Sequence, residues 1–264
     1  MRSVSAACRL GWAALGSACA IAAAQVPDAG MAPRLSGFGT MGPELQAMQR
    51  DDSLNPGMLW VKDGEALWQR DDGKTRRSCA SCHGHAHTSM RGVATRFPAM
   101  DAQLRQPLDL SGRINLCRSR HQQAGAWAPE AEPLLALEAW VTMQSRGLAL
   151  APPADAALAP YRERGAALFR QRIGQLGLSC ANCHDALVGK RLGGNPIPPG
   201  DPAPYPAYRL QWQNLGSLQR RIRNCMTGVR AEPLAYGSVE MIELSLHLAI
   251  RARGLALEAP GVRP

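Results

Sequence analysis

Aromatic residues are scarce: three Phe, four Tyr and six Trp make up 5% of the 264 residues. Lysine is scarcer still, with three copies against 27 arginines. No arginine run is interleaved with aromatics, which argues against a nucleic-acid groove. No apolar run reaches the roughly 20 residues that a membrane span needs, and no segment sustains the alternation of a long strand. What is present excludes two further classes. A hydrophobic content of 45% is too high for a disordered chain, and the length is too great for a small disulfide-stapled scaffold. The formal net charge of +9 is carried almost wholly by arginine. It reads either as a solvated surface or as attraction for a small anion or an acidic partner.

The first 24 residues contain only Arg2 and Arg9 as charges, then the Ala/Gly/Leu-rich run Leu10–Ala24. A basic start, a short apolar stretch and Ala22-Ala23-Ala24 before Gln25 read as a secretory signal peptide over 1–24. Gly16 stands where a lipoprotein motif at Cys19 needs a large aliphatic residue. The expectation is therefore a soluble exported protein, periplasmic in a bacterium, with no membrane span after cleavage. Six of the eight cysteines remain in it.

Those six are patterned. Cys79-Ala80-Ser81-Cys82-His83 and Cys180-Ala181-Asn182-Cys183-His184 are two copies of C-x-x-C-H, and each is followed by one lone cysteine, Cys117 or Cys225. In an exported chain this motif reads as covalent haem attachment. Thiols three residues apart share one face of a helical turn, and the next imidazole is placed to ligate the iron. Zinc leaves the histidine after each pair unexplained. Two covalent haem c groups are expected, attached at Cys79/Cys82 and Cys180/Cys183, with His83 and His184 as proximal ligands.

The chain also repeats around these motifs. Gly64-Glu65-Ala66-Leu67-Trp68 matches Gly165-Ala166-Ala167-Leu168-Phe169, and Arg146-Gly147-Leu148-Ala149-Leu150 is identical to Arg253-Gly254-Leu255-Ala256-Leu257. Offsets of 101 between haem motifs and 108 between lone cysteines imply seven residues inserted in the second copy. The Gly/Pro-dense stretch Gly193–Pro206 is their natural place. Each copy ends in a helical pattern: Leu134, Leu137 and Val141 in the first, and Val239, Ile242, Leu246 and Ala249 in the second. The expected fold is all-α: two tandem cytochrome c-like domains over 25–150 and 161–264, joined by a linker over 151–160.

The side of each iron opposite the histidine decides the chemistry. Met90, Met100, Met143, Met226 and Met241 are candidate ligands, as are His85, His87, His121 and His247. Cys117 and Cys225 differ from these in occupying equivalent positions of a duplicated unit. They read as thiolate ligands, as buried apolar thiols, or as a mutual disulfide. Thiolate ligation suits sulfur chemistry better than simple electron carriage. Arg221 lies four residues before Cys225, on the same helical face, and its planar donors match a sulfur oxyanion. Arg223 is a second candidate for the same task.

The order C-x-x-C-H, Asn-Leu-Cys-Arg, C-x-x-C-H and Arg-x-Arg-x-Cys-Met resembles the dihaem SoxA subunits of SoxAX cytochromes over essentially the whole mature chain. That resemblance implies an L-cysteine S-thiosulfotransferase of bacterial thiosulfate oxidation. It implies pairing with a monohaem SoxX subunit and transfer of thiosulfate to a cysteine of the SoxYZ carrier protein. Two electrons would pass to a soluble cytochrome c acceptor. By motif, Cys225 is the catalytic cysteine and distal ligand of the second haem, Arg221 the arginine beside it, and Cys117 the distal ligand of the first. Two alternatives differ in chemistry. A dihaem electron carrier with Met ligands would need no reactive cysteine, and a tetrathionate-forming thiosulfate dehydrogenase would need no carrier protein.

Overall fold

The computed structural model describes residues 36–264; the expected signal peptide and residues 25–35 lie outside them. Ten α-helices carry the fold: α1 (Pro43–Arg50), α2 (Gly57–Gln69), α3 (Cys79–His83), α4 (Ala86–Ser89), α5 (Leu110–Cys117), α6 (Glu132–Met143), α7 (Ala159–Arg170), α8 (Cys180–His184), α9 (Leu218–Gly228) and α10 (Val239–Arg251). No helix among the described residues is long and apolar enough to cross a membrane.

The duplication is visible element by element. α2, α3, α5 and α6 of the first unit correspond to α7, α8, α9 and α10 of the second. In each unit the first and last helices cross at a glycine. A Cβ on Gly64 would stand 2.0 Å from the Ala136 carbonyl oxygen, and one on Gly165 would stand 2.1 Å from that of Glu243. Only glycine permits that approach of two backbones. One turn further on, Trp68 and Phe169 bury their rings at 3% and 2% exposure. The two Arg-Gly-Leu-Ala-Leu copies meet each other. Gly147 N donates to Leu257 O, Leu257 N to Leu148 O, Leu150 N to Leu255 O and Gly254 N to Leu150 O, around an antiparallel bridge between Ala149 and Ala256. The repeated pentapeptide is thus the seam between the units.

The fold is mainly helical, as expected, but it also contains short strands that the all-α reading left out. An antiparallel hairpin, β1 (Ala99–Asp101) with β2 (Gln106–Leu108), precedes α5. After β3 (Arg191–Leu192) and β4 (Asn195–Pro196) comes the matching hairpin, β5 (Ala207–Arg209) with β6 (Asn214–Gly216), before α9. Its register reproduces the first at an offset of 108: Ala99 faces Leu108 and Ala207 faces Gly216. Three-residue strands are too short to show a periodicity, so the pattern in the sequence is silent there. The units are in step at 101 through His184, at 108 from the cis Phe97–Pro98 and Tyr205–Pro206 bonds through Cys117 and Cys225, and at 107 over the last helices and the Arg-Gly-Leu-Ala-Leu copies. The seven extra residues therefore lie between His184 and Tyr205, where the β3–β4 hairpin stands.

The units share a core as well as a seam. Val61 of α2 and Leu135 and Ala139 of α6 pack with Tyr208 and Leu215 of the second hairpin. A final strand, β7 (Gly261–Arg263), runs parallel to β5. The N-terminal segment ties to this end of the second unit. Gly37 N donates to Asp201 Oδ2 at 3.0 Å, Asn55 Nδ2 to the Pro260 carbonyl at 2.8 Å, and Val262 N to Gln49 Oε1 at 2.9 Å.

Candidate functional site

In the second unit, Ser179 caps α8 by accepting from Asn182 N, so the short helix starts at Cys180 and puts both thiols and His184 on its single turn. His184 Nδ1 donates to the Pro198 carbonyl at 2.8 Å, which fixes the tautomer and turns Nε2 away from that loop. Gly200, at φ +74°, lies flat against the ring; a Cβ there would be 2.9 Å from His184 Cγ. On the other side, α9 delivers Cys225 into hydrogen-bond contact with His184. Burial pushes the Cys225 thiol up, but the bond to His184 and the guanidinium groups of Arg221 and Arg209 outweigh it, leaving it below its ordinary value. Burial pushes the His184 imidazole down, and its bonds to Cys225 and Pro198 more than reverse that. The pair is therefore a thiol whose surroundings favour ionisation, facing an imidazole oriented by the Pro198 carbonyl.

The first unit repeats the scaffold with different electrostatics. Ser78 caps α3 by accepting from Ser81 N, and Trp68 Nε1 donates to the Gly84 carbonyl with its ring 5.8 Å from that of His83. Cys117 ends α5, where the chain passes into a single π-turn over Arg118–Gln122. Arg118 is buried there. It pairs with Asp72 at 2.7 Å, donates to the Gly125 carbonyl at 3.0 Å and lies 3.4 Å from the Trp127 ring centroid. Burial pushes the Cys117 thiol up, and the arginines Arg113 and Arg120 do not reverse this. Burial likewise raises Cys79 and Cys180 to about 11. All six cysteines are free among the described residues, so Cys117 and Cys225 do not form the disulfide weighed above.

Arg221 lies one helical turn before Cys225 on α9, and its guanidinium is among the groups that lower the thiol's pKa. Arg223 does not join it. Its Nη1 donates to the Leu234 carbonyl, and its guanidinium stacks 4.6 Å from the Tyr236 centroid, so it is tied to the loop after α9. Two residues of the neighbourhood escape sequence reasoning: Arg209 on β5 and the half-buried Tyr205 four residues before it. Arg209 Nη1 reaches Tyr205 Oη at 3.5 Å. The signal for Arg209 lies in the repeat itself, because the offset of the lone cysteines sets it opposite Asp101.

The donor set fits haem c. Two attachment thiols on one turn, a histidine with its Nδ1 anchored, and a facing cysteine are groups that can hold such a cofactor. Beside Cys180 a cavity of about 700 Å³ has apolar walls from Leu168, Ile173, Met226, Leu234 and Leu244 and polar ones from Gln171, Arg172, Arg230 and Glu232. That size is within the range of cofactor cavities, and apolar walls with a few polar groups suit a macrocycle that carries carboxylates.

The SoxA/TsdA cytochrome c domain matches twice, over residues 63–150 and 164–257. The chain belongs to the SoxA/TsdA cytochrome c family. The two matches coincide with the two repeat units, and cytochrome c domains of this family carry covalently bound haem c. Among SoxA relatives, the L-cysteine S-thiosulfotransferase subunit SoxA of Pseudaminobacter salicylatoxidans is 34% identical over 87% of this chain and 80% of its own length. The subunit of the same name from Paracoccus pantotrophus is 31% identical over 86% of this chain and 78% of its own length. The crystal structure of SoxXA from P. pantotrophus superimposes with a TM-score of 0.84 at 30% identity, covering 88% of this chain and 87% of that one.

Proposed function

We propose that this chain is the dihaem subunit of an L-cysteine S-thiosulfotransferase, joining thiosulfate oxidatively to a cysteine of a SoxYZ-type carrier. The observation that carries the reading is the placement of Cys225: a partly buried free thiol that α9 brings opposite His184, with Arg221 one helical turn before it. The curated names of the SoxA relatives support it.

In this reading Arg221 holds the sulfonate of thiosulfate, and the outer sulfur is directed at Cys225 Sγ. A bond forms between the two sulfurs as two electrons leave, giving a Cys225 thiosulfonate. The thiolate of the carrier cysteine then attacks the same outer sulfur, the bond to Cys225 breaks, and the Cys225 thiolate is regenerated without further oxidation. Dividing one oxidative coupling into bond formation and exchange is the benefit of a covalent intermediate. Two haem c groups, on Cys79/Cys82 with His83 and Cys117 and on Cys180/Cys183 with His184 and Cys225, supply the electron acceptor when bound. Electrons go on to a soluble cytochrome c. The assembly is a heterodimer with a monohaem SoxX-type subunit, as in the P. pantotrophus complex. Its place is the periplasm, reached through the cleaved leader over 1–24.

The test is Cys225→Ala in the haem-loaded complex, assayed with thiosulfate, carrier and cytochrome c. Covalent haem content stays at the wild-type value, because Cys180 and Cys183 are untouched, and carrier-dependent turnover falls to background. Unchanged turnover would exclude Cys225 chemistry. Turnover with no need for the carrier would favour tetrathionate formation instead.

A further inference from the structure

Because the units are duplicated, each position in one has a counterpart to be compared with in the other. Arg113, one helical turn before Cys117, is neutralised in the first unit: its Nη1 lies 2.8 Å from Asp101 Oδ2, and Arg120 lies 3.9 Å from the same carboxylate. At the offset of 108, Arg113 corresponds to Arg221, one turn before Cys225. Asp101, at the end of β1, corresponds to Arg209, at the end of β5, and the hairpin registers confirm the match, with Asp101 facing Gln106 and Arg209 facing Asn214. A closed ion pair in the first unit has become two cations in the second.

Arg209 is only 8% exposed. Its Nε is buried without a hydrogen-bond partner, Nη1 makes a long contact to Tyr205 Oη, and the guanidinium lies 5.2 Å from the Trp212 ring centroid. Among the described residues, neither Arg209 nor Arg221 has a carboxylate within salt-bridge distance. A buried guanidinium with an unused donor and no counter-charge is costly in isolation, and it becomes favourable when an anion fills the site. Two guanidinium groups supply planar donors to several oxygens at once, which matches a sulfonate better than a single-oxygen ligand.

We propose that Arg209 is a second anion-binding residue of the Cys225 site, clamping the oxyanion end of the substrate together with Arg221. The replacement of the Asp101 carboxylate by the Arg209 guanidinium is what makes the second unit receptive to that anion and the first unit closed to it. The identity of the anion as thiosulfate rests on the function proposed above; the cradle itself does not.

The experiment is calorimetric titration of oxidised, haem-loaded protein with thiosulfate and, separately, with sulfate as an unreactive oxyanion. Arg209→Gln is expected to weaken thiosulfate binding by about tenfold or more. Arg209→Asp is expected to abolish it, by giving Arg221 the partner that Arg113 has. Both are expected to retain two covalent haems. If Arg209→Gln does not mature, Arg209→Lys decides: reduced affinity supports the clamp, and wild-type affinity overturns it, because a point charge lacks the fork. Thiosulfate affinity unchanged in Arg209→Gln overturns the proposal while leaving the thiosulfotransferase reading intact. So does a shift in the second haem's potential without a change in anion affinity, which would hand Arg209 to a haem propionate. If wild-type protein binds sulfate but not thiosulfate, and Arg209→Gln loses the sulfate, the cradle stands and the substrate assignment falls.

Discussion

Cys117 and Cys225 occupy equivalent places in one duplicated unit, yet their surroundings push them apart. Burial dominates at Cys117, whose neighbouring arginines Arg113 and Arg120 are both paired with Asp101. At Cys225 a hydrogen-bonding imidazole and two guanidinium groups without carboxylate partners win over burial. Reactive thiols sit in such electropositive settings, whereas thiols whose environment favours the neutral form are inert. The cysteines, histidines and Arg221 were legible in the sequence because covalent attachment and an i, i+4 helix face impose fixed spacings. Arg209 was not, because a three-residue strand imposes none. Arg223 shares the helix but points off its reactive face, tied to the Leu234 carbonyl and the Tyr236 ring, a distinction that charge counting does not make. Replacing Arg221 with Gln is predicted to raise the thiosulfate KM by about tenfold, the worth of one charge-assisted contact of roughly 1.4 kcal/mol. Arg223→Gln should leave KM within about twofold and lower the melting temperature instead, through loss of the Leu234 contact. Steady-state kinetics on both variants check this; equal KM changes would contradict the placement of the two side chains.

At the scale of elements, the two helix crossings rest on single glycines. Their equivalence was readable from the repeat, since both head the Gly-x-Ala-Leu-aromatic motif. Their task was not readable, because a glycine in a helix looks like a defect until the partner backbone is seen. A methyl group at Gly64 has no room beside the Ala136 carbonyl oxygen. Gly64→Ala is therefore predicted to destabilise by about 3 kcal/mol, at the upper end for an overpacked core. That corresponds to a loss of roughly 6–12 °C in melting temperature for a chain of this size. Gly165→Ala should do the same in the second unit. A melting temperature within a degree of wild type in either variant would show that the crossing can open at little cost.

For the molecule as a whole, the surface between the units is a further determinant. A cavity of about 210 Å³ lies there, with Asp109 and Glu138 from the first unit and Ser217, Gln219 and Tyr236 from the second among its walls. Ser111 Oγ donates to Glu138 at 2.5 Å and Gln219 Nε2 to Asp109 at 2.5 Å. Burial, with Asp109 adding to it, pushes Glu138 up from 4.5 to about 8. The folded protein therefore holds a proton that the unfolded chain releases above about pH 4.5. Stability contributed by this group falls as pH rises from there towards about 8, and levels off beyond it. Glu138→Gln keeps an acceptor for Ser111 and removes the titration, so thermal melts of the variant should decline less between pH 5 and pH 8 than those of wild type. Parallel declines would contradict this assignment. None of this interface was legible in the sequence, since Asp109, Glu138 and Gln219 converge only through the packing of two separate units.

The central claim is that Cys225 carries the transferred sulfur, and peptide mass spectrometry of the mature haem-loaded protein tests it most directly. After exposure to thiosulfate and an oxidant, the account predicts two haem-bearing peptides and a Cys225 peptide heavier by sulfur or by a thiosulfate-derived group, with no such adduct on Cys117. A Cys225 that remains a plain, freely alkylated thiol under those conditions would contradict it.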